Sequence, residues 1–127
     1  MRMRAVDAET APEAVGGYAQ AVEVAGASRT LYISGQIPVD RAGHCPADFD
    51  GQCRLAWANV LAQLGAAGMG VGNLAKVTTF LADRRHTLEN RAVRNEVLGD
   101  HRPALTVIVT GIFDESWLIE IEAVAVD

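Results

Sequence analysis

Glu120 and Glu122 stand two residues apart in Ile119-Glu120-Ile121-Glu122-Ala123, a run that alternates apolar and acidic side chains. Read as a strand, it sends both carboxylates out of one face, about 7 Å apart by strand rise. A carboxylate partly buried beside an electrophilic carbon can take a proton from water and act as a general base. The plainer reading is a salt bridge across an interface or contact with solvent. Glu120 is the stronger candidate of the two.

The other chemistry-bearing groups are weaker. His44, Cys45 and Cys53 offer three metal ligands, but no C-x-x-C pair and no evident fourth ligand accompany them. Structural zinc usually has four ligands in recognisable spacing, so two free thiols are expected and no metal. Gly68, Gly70 and Gly72 do not form a phosphate-binding G-x-G-x-x-G turn, because the last spacing is wrong and a strand comes next. Arg84, Arg85, Arg91, Arg94 and Arg102 cluster in sequence and read most simply as a solvated helix face. Asn90 heads an apolar stripe with Val93 and Val97, either as a satisfied core amide or as a ligand contact.

These residues sit in a chain of 127 residues, enough for one domain with its own core. A net charge of −5 disfavours a general nucleic-acid binder, which needs clustered cations to displace counterions. No apolar run approaches the roughly 20 residues needed to cross a bilayer, and the start does not read as a secretory signal. With two cysteines only, a cytoplasmic protein is the expectation.

The elements that must position the candidates are read from periodicity. Residues 1–15 or so show none and are expected to form a loop into the fold. Gly16-Gly17 leads to a strand at Tyr18–Val24, which a turn at Gly26–Arg29 joins as a hairpin to a second strand at Thr30–Ser34. Cys53, Trp57, Val60, Leu61 and Leu64 recur at steps of three and four, so a helix is predicted there. Asp48 or Asp50 caps its start and Gly68 its end. A third strand covers Leu74–Leu81, and a second helix Leu88–Leu98, capped by Thr87 and stopped by Gly99. Strands at Ala104–Thr110 and Trp117–Val126 close the chain. The order β-β-α-β-α-β-β predicts an α+β domain with both helices on one face of a mixed sheet. The other face is apolar and uncovered, so association with further copies is expected.

Several short runs together resemble one family. Gly17-Tyr18-Ala19-Gln20-Ala21, Ser34-Gly35-Gln36-Ile37-Pro38, Ala66-Ala67-Gly68, Lys76-Val77-Thr78-Thr79-Phe80-Leu81, His101-Arg102-Pro103-Ala104 and Glu120-Ile121-Glu122-Ala123-Val124-Ala125 are similar to the RidA/YjgF proteins. These are also called the L-PSP endoribonuclease or reactive-intermediate deaminase family. The resemblance runs in order from about Gly16 to Val126. It implies a chorismate-mutase-like fold and a homotrimer with a central barrel and small-molecule clefts between subunits. It also implies hydrolysis of imines or their enamine tautomers to carbonyl compounds and ammonia, without metal or organic cofactor.

The resemblance further implies roles for single residues. Glu120 matches the acid that positions or activates water, and Tyr18, Ser34, Gly35 and Asn90 match cleft-lining positions. Active members carry an arginine directly after the Pro-Ala pair, which clamps the substrate carboxylate through two coplanar bonds. Here that position is Leu105, and the position two further on, often cysteine, is Val107. Loss of a charge-assisted hydrogen bond costs about 1.5–3 kcal/mol. Arg102, three residues before Leu105, points from the opposite strand face and does not substitute. The expectation is therefore a deaminase for an imine other than the usual 2-imino acids, more apolar, cyclic or neutral. The alternative is a non-catalytic trimer that binds a metabolite in the same clefts. Chorismate mutase activity is supported by fold analogy alone. Ribonuclease activity finds no histidine pair in register with Glu120.

Overall fold

A computed structural model describes all of Met1–Asp127. Its strands are β1 (Arg2–Val6), β2 (Ala21–Ala25), β3 (Thr30–Gln36), β4 (Leu74–Leu81), β5 (Ala104–Val109) and β6 (Ile119–Val126). Its helices are α1 (Phe49–Ala66) and α2 (Thr87–Leu98), with short 3₁₀ turns at Val71–Asn73 and Arg84–His86. Four strands form one mixed sheet in the order β3-β6-β4-β5, parallel only between β4 and β5, while β1 and β2 form a separate antiparallel ladder. No helix is long and apolar enough to cross a membrane.

The expected α+β layering is present, with two corrections. The lead-in is not all loop, because Arg2–Val6 is a strand. It takes β2 as its partner, pairing Arg2 with Ala25 through to Val6 with Ala21. The expected hairpin between β2 and β3 therefore does not form; β3 pairs with β6 instead. The β-rich start of β3, Thr30-Leu31-Tyr32-Ile33, finds a largely buried partner in β6. By contrast β2 alternates exposed and half-buried residues and suits a two-stranded edge.

Helix α1 starts at Asp48, whose carboxylate accepts from the Gly51 N–H. It ends where Gly68 takes a left-handed φ of +71°, with the Met69 N–H bonded to Leu64 O and the Gly68 N–H to Gly65 O. Cys53, Trp57, Val60 and Leu64 are buried as expected, but Leu61 is exposed and Ala56 takes its place in the stripe. Thr87 does not cap α2: its hydroxyl donates back to Arg84 O, and His86 is the residue at the helix boundary. Gly99 ends α2 with φ +58°.

Both helices lie on one face of the four-stranded sheet. On that face β6 presents Ile119, Ile121, Ala123 and Ala125, and β4 presents Val77, Thr79 and Leu81, all buried. The opposite face carries Tyr32, Phe80, Ile108, Glu120 and Glu122, and in this chain nothing packs over it. Tyr32 is 80% exposed there, and Phe113, in the loop between β5 and β6, is 95% exposed.

One buried side chain fixes the entry into β6. Gln52 of α1 donates from Nε2 to Pro46 O (2.9 Å) and Ser116 O (3.0 Å), and its Oε1 accepts from the Leu118 N–H (2.7 Å). It thereby satisfies three backbone groups of two loops from within the core. Replacing Gln52 by Leu leaves them unpaired. The expected cost is about 2–3 kcal/mol, measured as a lower denaturation midpoint at unchanged m-value; a loss under about 0.5 kcal/mol would contradict this role.

Candidate functional site

The structure sorts the candidate residues into two groups. Leu105 of β5 pairs with Val77, which pairs with Ala123, and Val107 pairs with Thr79, which pairs with Ile121. Directly paired residues share a face, so Leu105 and Val107 emerge on the helix side. Glu120 pairs with Phe80, which pairs with Ile108, and these emerge on the uncovered side. Within one chain the sheet itself separates Glu120 from Leu105.

The first group surrounds a cleft of about 290 Å³ between β5, α2 and the approach to β2. Tyr18, Asn90, Leu105 and Val107 line it, together with Arg91 and Arg94. Tyr18 is placed by its neighbour: the Ala19 N–H bonds to Pro103 O, a single bridge that draws the lead-in alongside the start of β5. The glycine pair before it has left-handed φ values of +114° and +86° at Gly16 and Gly17. A Cβ at Gly16 would lie 3.0 Å from Arg91 Nε, and one at Gly17 would lie 2.6 Å from Asn95 Oδ1. Only glycine lets the chain take this path so close over α2.

Asn90 is buried, and its Oδ1 faces the Cys53 thiol at 3.9 Å. Arg94 is 3% exposed, against the expectation of a solvated helix face. Its one hydrogen bond runs from Nη2 to Gly16 O, and Nε is buried without an acceptor. Burial, then the neighbouring Arg91 charge, push its guanidinium below the usual arginine range. Neither Arg91 nor Arg94 is in an ion pair. Arg84, Arg85 and Arg102 are exposed as expected. Arg102 lies among Met3, Ala5 and Val22, outside the Leu105 cleft.

The inward turn of Arg94 was legible in principle. Asn90, Val93, Arg94, Val97 and Leu98 stand at i, i+3, i+4, i+7 and i+8, the positions of a buried helix stripe. An arginine at the i+4 place of such a stripe is carried toward the core.

The second group is Ser34, Gly35 and Glu120. Between Ile33 and Gln36 the β3–β6 register slips, three steps on β3 matching two on β6 from Ala123 to Ile121. This bulge at Ser34–Gly35 re-aims the strand. Asn59 of α1 anchors the chain just beyond it by donating to Ile37 O (2.8 Å) and Val39 O (3.0 Å). The Glu120 side chain lies directly on Gly35: a Cβ at 35 would stand 2.0 Å from Oε2 and 2.8 Å from Cδ. Phe80, Thr110, Gly111, Ile112 and Phe113 complete a hollow beside the carboxylate, about 390 Å³ in volume. Glu122, on the same face, is exposed.

The structure does not gather His44, Cys45 and Cys53 into a ligand cluster. Cys53 is fully buried, and burial above all pushes its thiol up to about 12.

A mixed sheet backed by two helices, with a carboxylate seated on a glycine at one edge, defines an α+β protein of the YjgF type. Comparison with known proteins is decisive on its kinship. The profile of the family described as Endoribonuclease L-PSP matches residues 8–127, and the chain belongs to that RidA/YjgF family. It is 35% identical over 127 residues to the 2-iminobutanoate/2-iminopropanoate deaminase of Escherichia coli K12, covering 97% of each chain. A RutC family protein of Pyrococcus horikoshii is 35% identical over 119 residues, 92% of each chain. Among solved structures, a protein of the conserved Rid family from Yersinia pestis superposes with a TM-score of 0.88 at 26% identity, covering both chains fully. The crystal structure of E. coli TdcF with bound serine gives 0.73 at 33% identity, covering 98% of each.

Two outcomes check the local geometry. With the Cys53 thiol raised to about 12, a thiol reagent near neutral pH is expected to modify Cys45 alone in the native protein and both cysteines after denaturation; rapid native modification of both refutes the placement. Gly35→Ala is expected to displace the Glu120 carboxylate from its seat while the fold persists, as a crystal structure of the variant would reveal.

Proposed function

We propose that the chain is an imine or enamine deaminase, adding water to C=N and releasing ammonia and a carbonyl compound, and that its substrate is more apolar than the short 2-imino acids. The observation that carries this reading is the carboxylate of Glu120 held against Gly35, half-buried beside a hollow open on the uncovered sheet face. A carboxylate there can take a proton from water as it attacks the imine carbon and return one to the departing nitrogen. The kinship to a 2-iminobutanoate/2-iminopropanoate deaminase points the same way. Leu105 and Val107 supply an apolar wall where a strand arginine would grip a small carboxylate, which favours a substrate with a hydrocarbon body.

Glu120 and the Leu105 cleft emerge on opposite sides of the sheet, so one substrate meets both only where two copies adjoin. A homotrimer that packs the uncovered faces together is the arrangement we propose. It buries Tyr32 and Phe113 and sets the Ser34–Gly35–Glu120 group of one copy against the Tyr18–Asn90–Leu105–Val107 cleft of the next. No metal or organic cofactor is required by this chemistry.

The test is ammonia release from imines generated in situ by an amino-acid oxidase, one from alanine and one from leucine. Wild type is expected to favour the leucine-derived imine. Glu120→Gln should lower turnover of both by about a hundredfold or more, and Leu105→Arg should move the preference toward the alanine-derived imine. A folded wild type inert on both would displace this reading in favour of a non-catalytic binding trimer. Full activity in Glu120→Gln would remove the role given to that residue.

A further inference from the structure

We infer that the cation for a bound ligand comes in this chain from α2. Arg94, with Arg91 beside it, forms an anion-binding site on the helix wall of the Leu105 cleft, fitted to the carboxylate of a substrate whose apolar body lies on β5. The inference rests on the reading above that this cleft receives the substrate.

Arg94 is 3% exposed and lines the cleft. A guanidinium has five N–H donors, and Arg94 spends only Nη2, on the Gly16 carbonyl. Its Nε is buried with no acceptor, and no carboxylate of the chain pairs with it. Buried charges in proteins are ordinarily paired, because an unpaired one forfeits its hydration without recompense. Within the chain a neutral carbonyl is the one hydrogen-bond acceptor of Arg94. Arg91, three residues earlier on the same face, adds a second cation to the cleft, also without an ion-pair partner.

An anion in the cleft meets every unmet requirement together. It offsets the buried charge, offers acceptors to the part of the guanidinium that lines the cleft and screens the two arginines from each other. Carboxylate geometry suits a guanidinium fork. On the β5 side stand Leu105 and Val107, which offer hydrocarbon and no donor side chain, while Tyr18, Gln20 and Thr87 complete the lining. The complementary ligand is therefore a carboxylate with an apolar body, its charge directed at α2 and its hydrocarbon at β5. The fixing of Gly16 by Arg94 becomes part of the same device: the bond that ties down the lead-in also aims the guanidinium.

The probes are 4-methylpentanoate and its primary amide, which share a shape and differ in charge. Binding to the protein of residues 1–127 is measured by calorimetry and by the side-chain N–H resonance of Arg94. Wild type is expected to bind the carboxylate about ten- to a hundredfold more tightly than the amide, with the Arg94 Nε–H signal shifting on titration. Arg94→Gln should abolish that preference. Because this variant also loses the bond to Gly16, Arg91→Gln is made in parallel; its side chain holds no hydrogen bond, and it should weaken carboxylate binding severalfold at unchanged melting temperature. If Arg94→Gln does not fold, the loss in Arg91→Gln decides. Equal binding of acid and amide by wild type, no binding of either, or an intact preference in the folded variants overturns the inference. Glu120→Gln separates this from the catalytic reading, since it should abolish turnover and keep the preference. Turnover without carboxylate preference removes the α2 site alone, and preference without turnover removes the deaminase alone.

Discussion

Side chains along β6 leave alternately by two faces, and that alternation divides the molecule. Ile119, Ile121, Ala123 and Ala125 enter the core beneath both helices, where each is nearly or fully inaccessible. Their neighbours Glu120 and Glu122 are thereby committed to the other face. A one-residue slip would bury two carboxylates and expose four apolar residues, so the register is held firmly. The core strand and the candidate catalytic strand are one element, and the stability of the first fixes the aim of the second.

That division has a consequence for the site. Glu120 is seated on Gly35, yet the cleft lined by Tyr18, Asn90 and Leu105 opens beyond the far side of the sheet. A single chain cannot bring the two to one small molecule. The uncovered face, with Tyr32 and Phe113 in the open, supplies a physical reason for copies to associate, and association would also complete the chemistry we propose.

Much of this was legible in the sequence where local rules suffice. Asp48, Gly68 and Gly99 act as the expected helix boundaries, and the period of two in Ile119–Val126 places Glu120 and Glu122 correctly. Pairing between distant strands was not legible. β1 is five residues carrying two arginines, too short and polar to announce itself. Its choice of β2 leaves β3 to β6, for reasons of burial that span most of the chain. Arg94 is hidden for another reason. Composition treats an arginine as a surface residue, while its place in the stripe with Asn90, Val93 and Leu98 turns it inward. Where the two signals disagree, geometry prevails because the helix has no freedom to rotate one residue alone.

The same geometry recasts the meaning of Leu105. Taken by itself, leucine after Pro103-Ala104 looks like the loss of a charge. With Arg91 and Arg94 facing it across the cleft, the position looks different. A guanidinium at 105 would be the third in one small volume, where burial and then the repulsion of Arg91 already depress the proton affinity of Arg94. An apolar residue on β5 is then what allows a buried cation on α2, because the strand wall contributes no further positive charge. On the inference drawn above, the cleft keeps a capacity for anions but presents it from the opposite wall. A ligand held in that way would be turned relative to one gripped from the strand, its charged end toward α2 and its hydrocarbon toward the sheet.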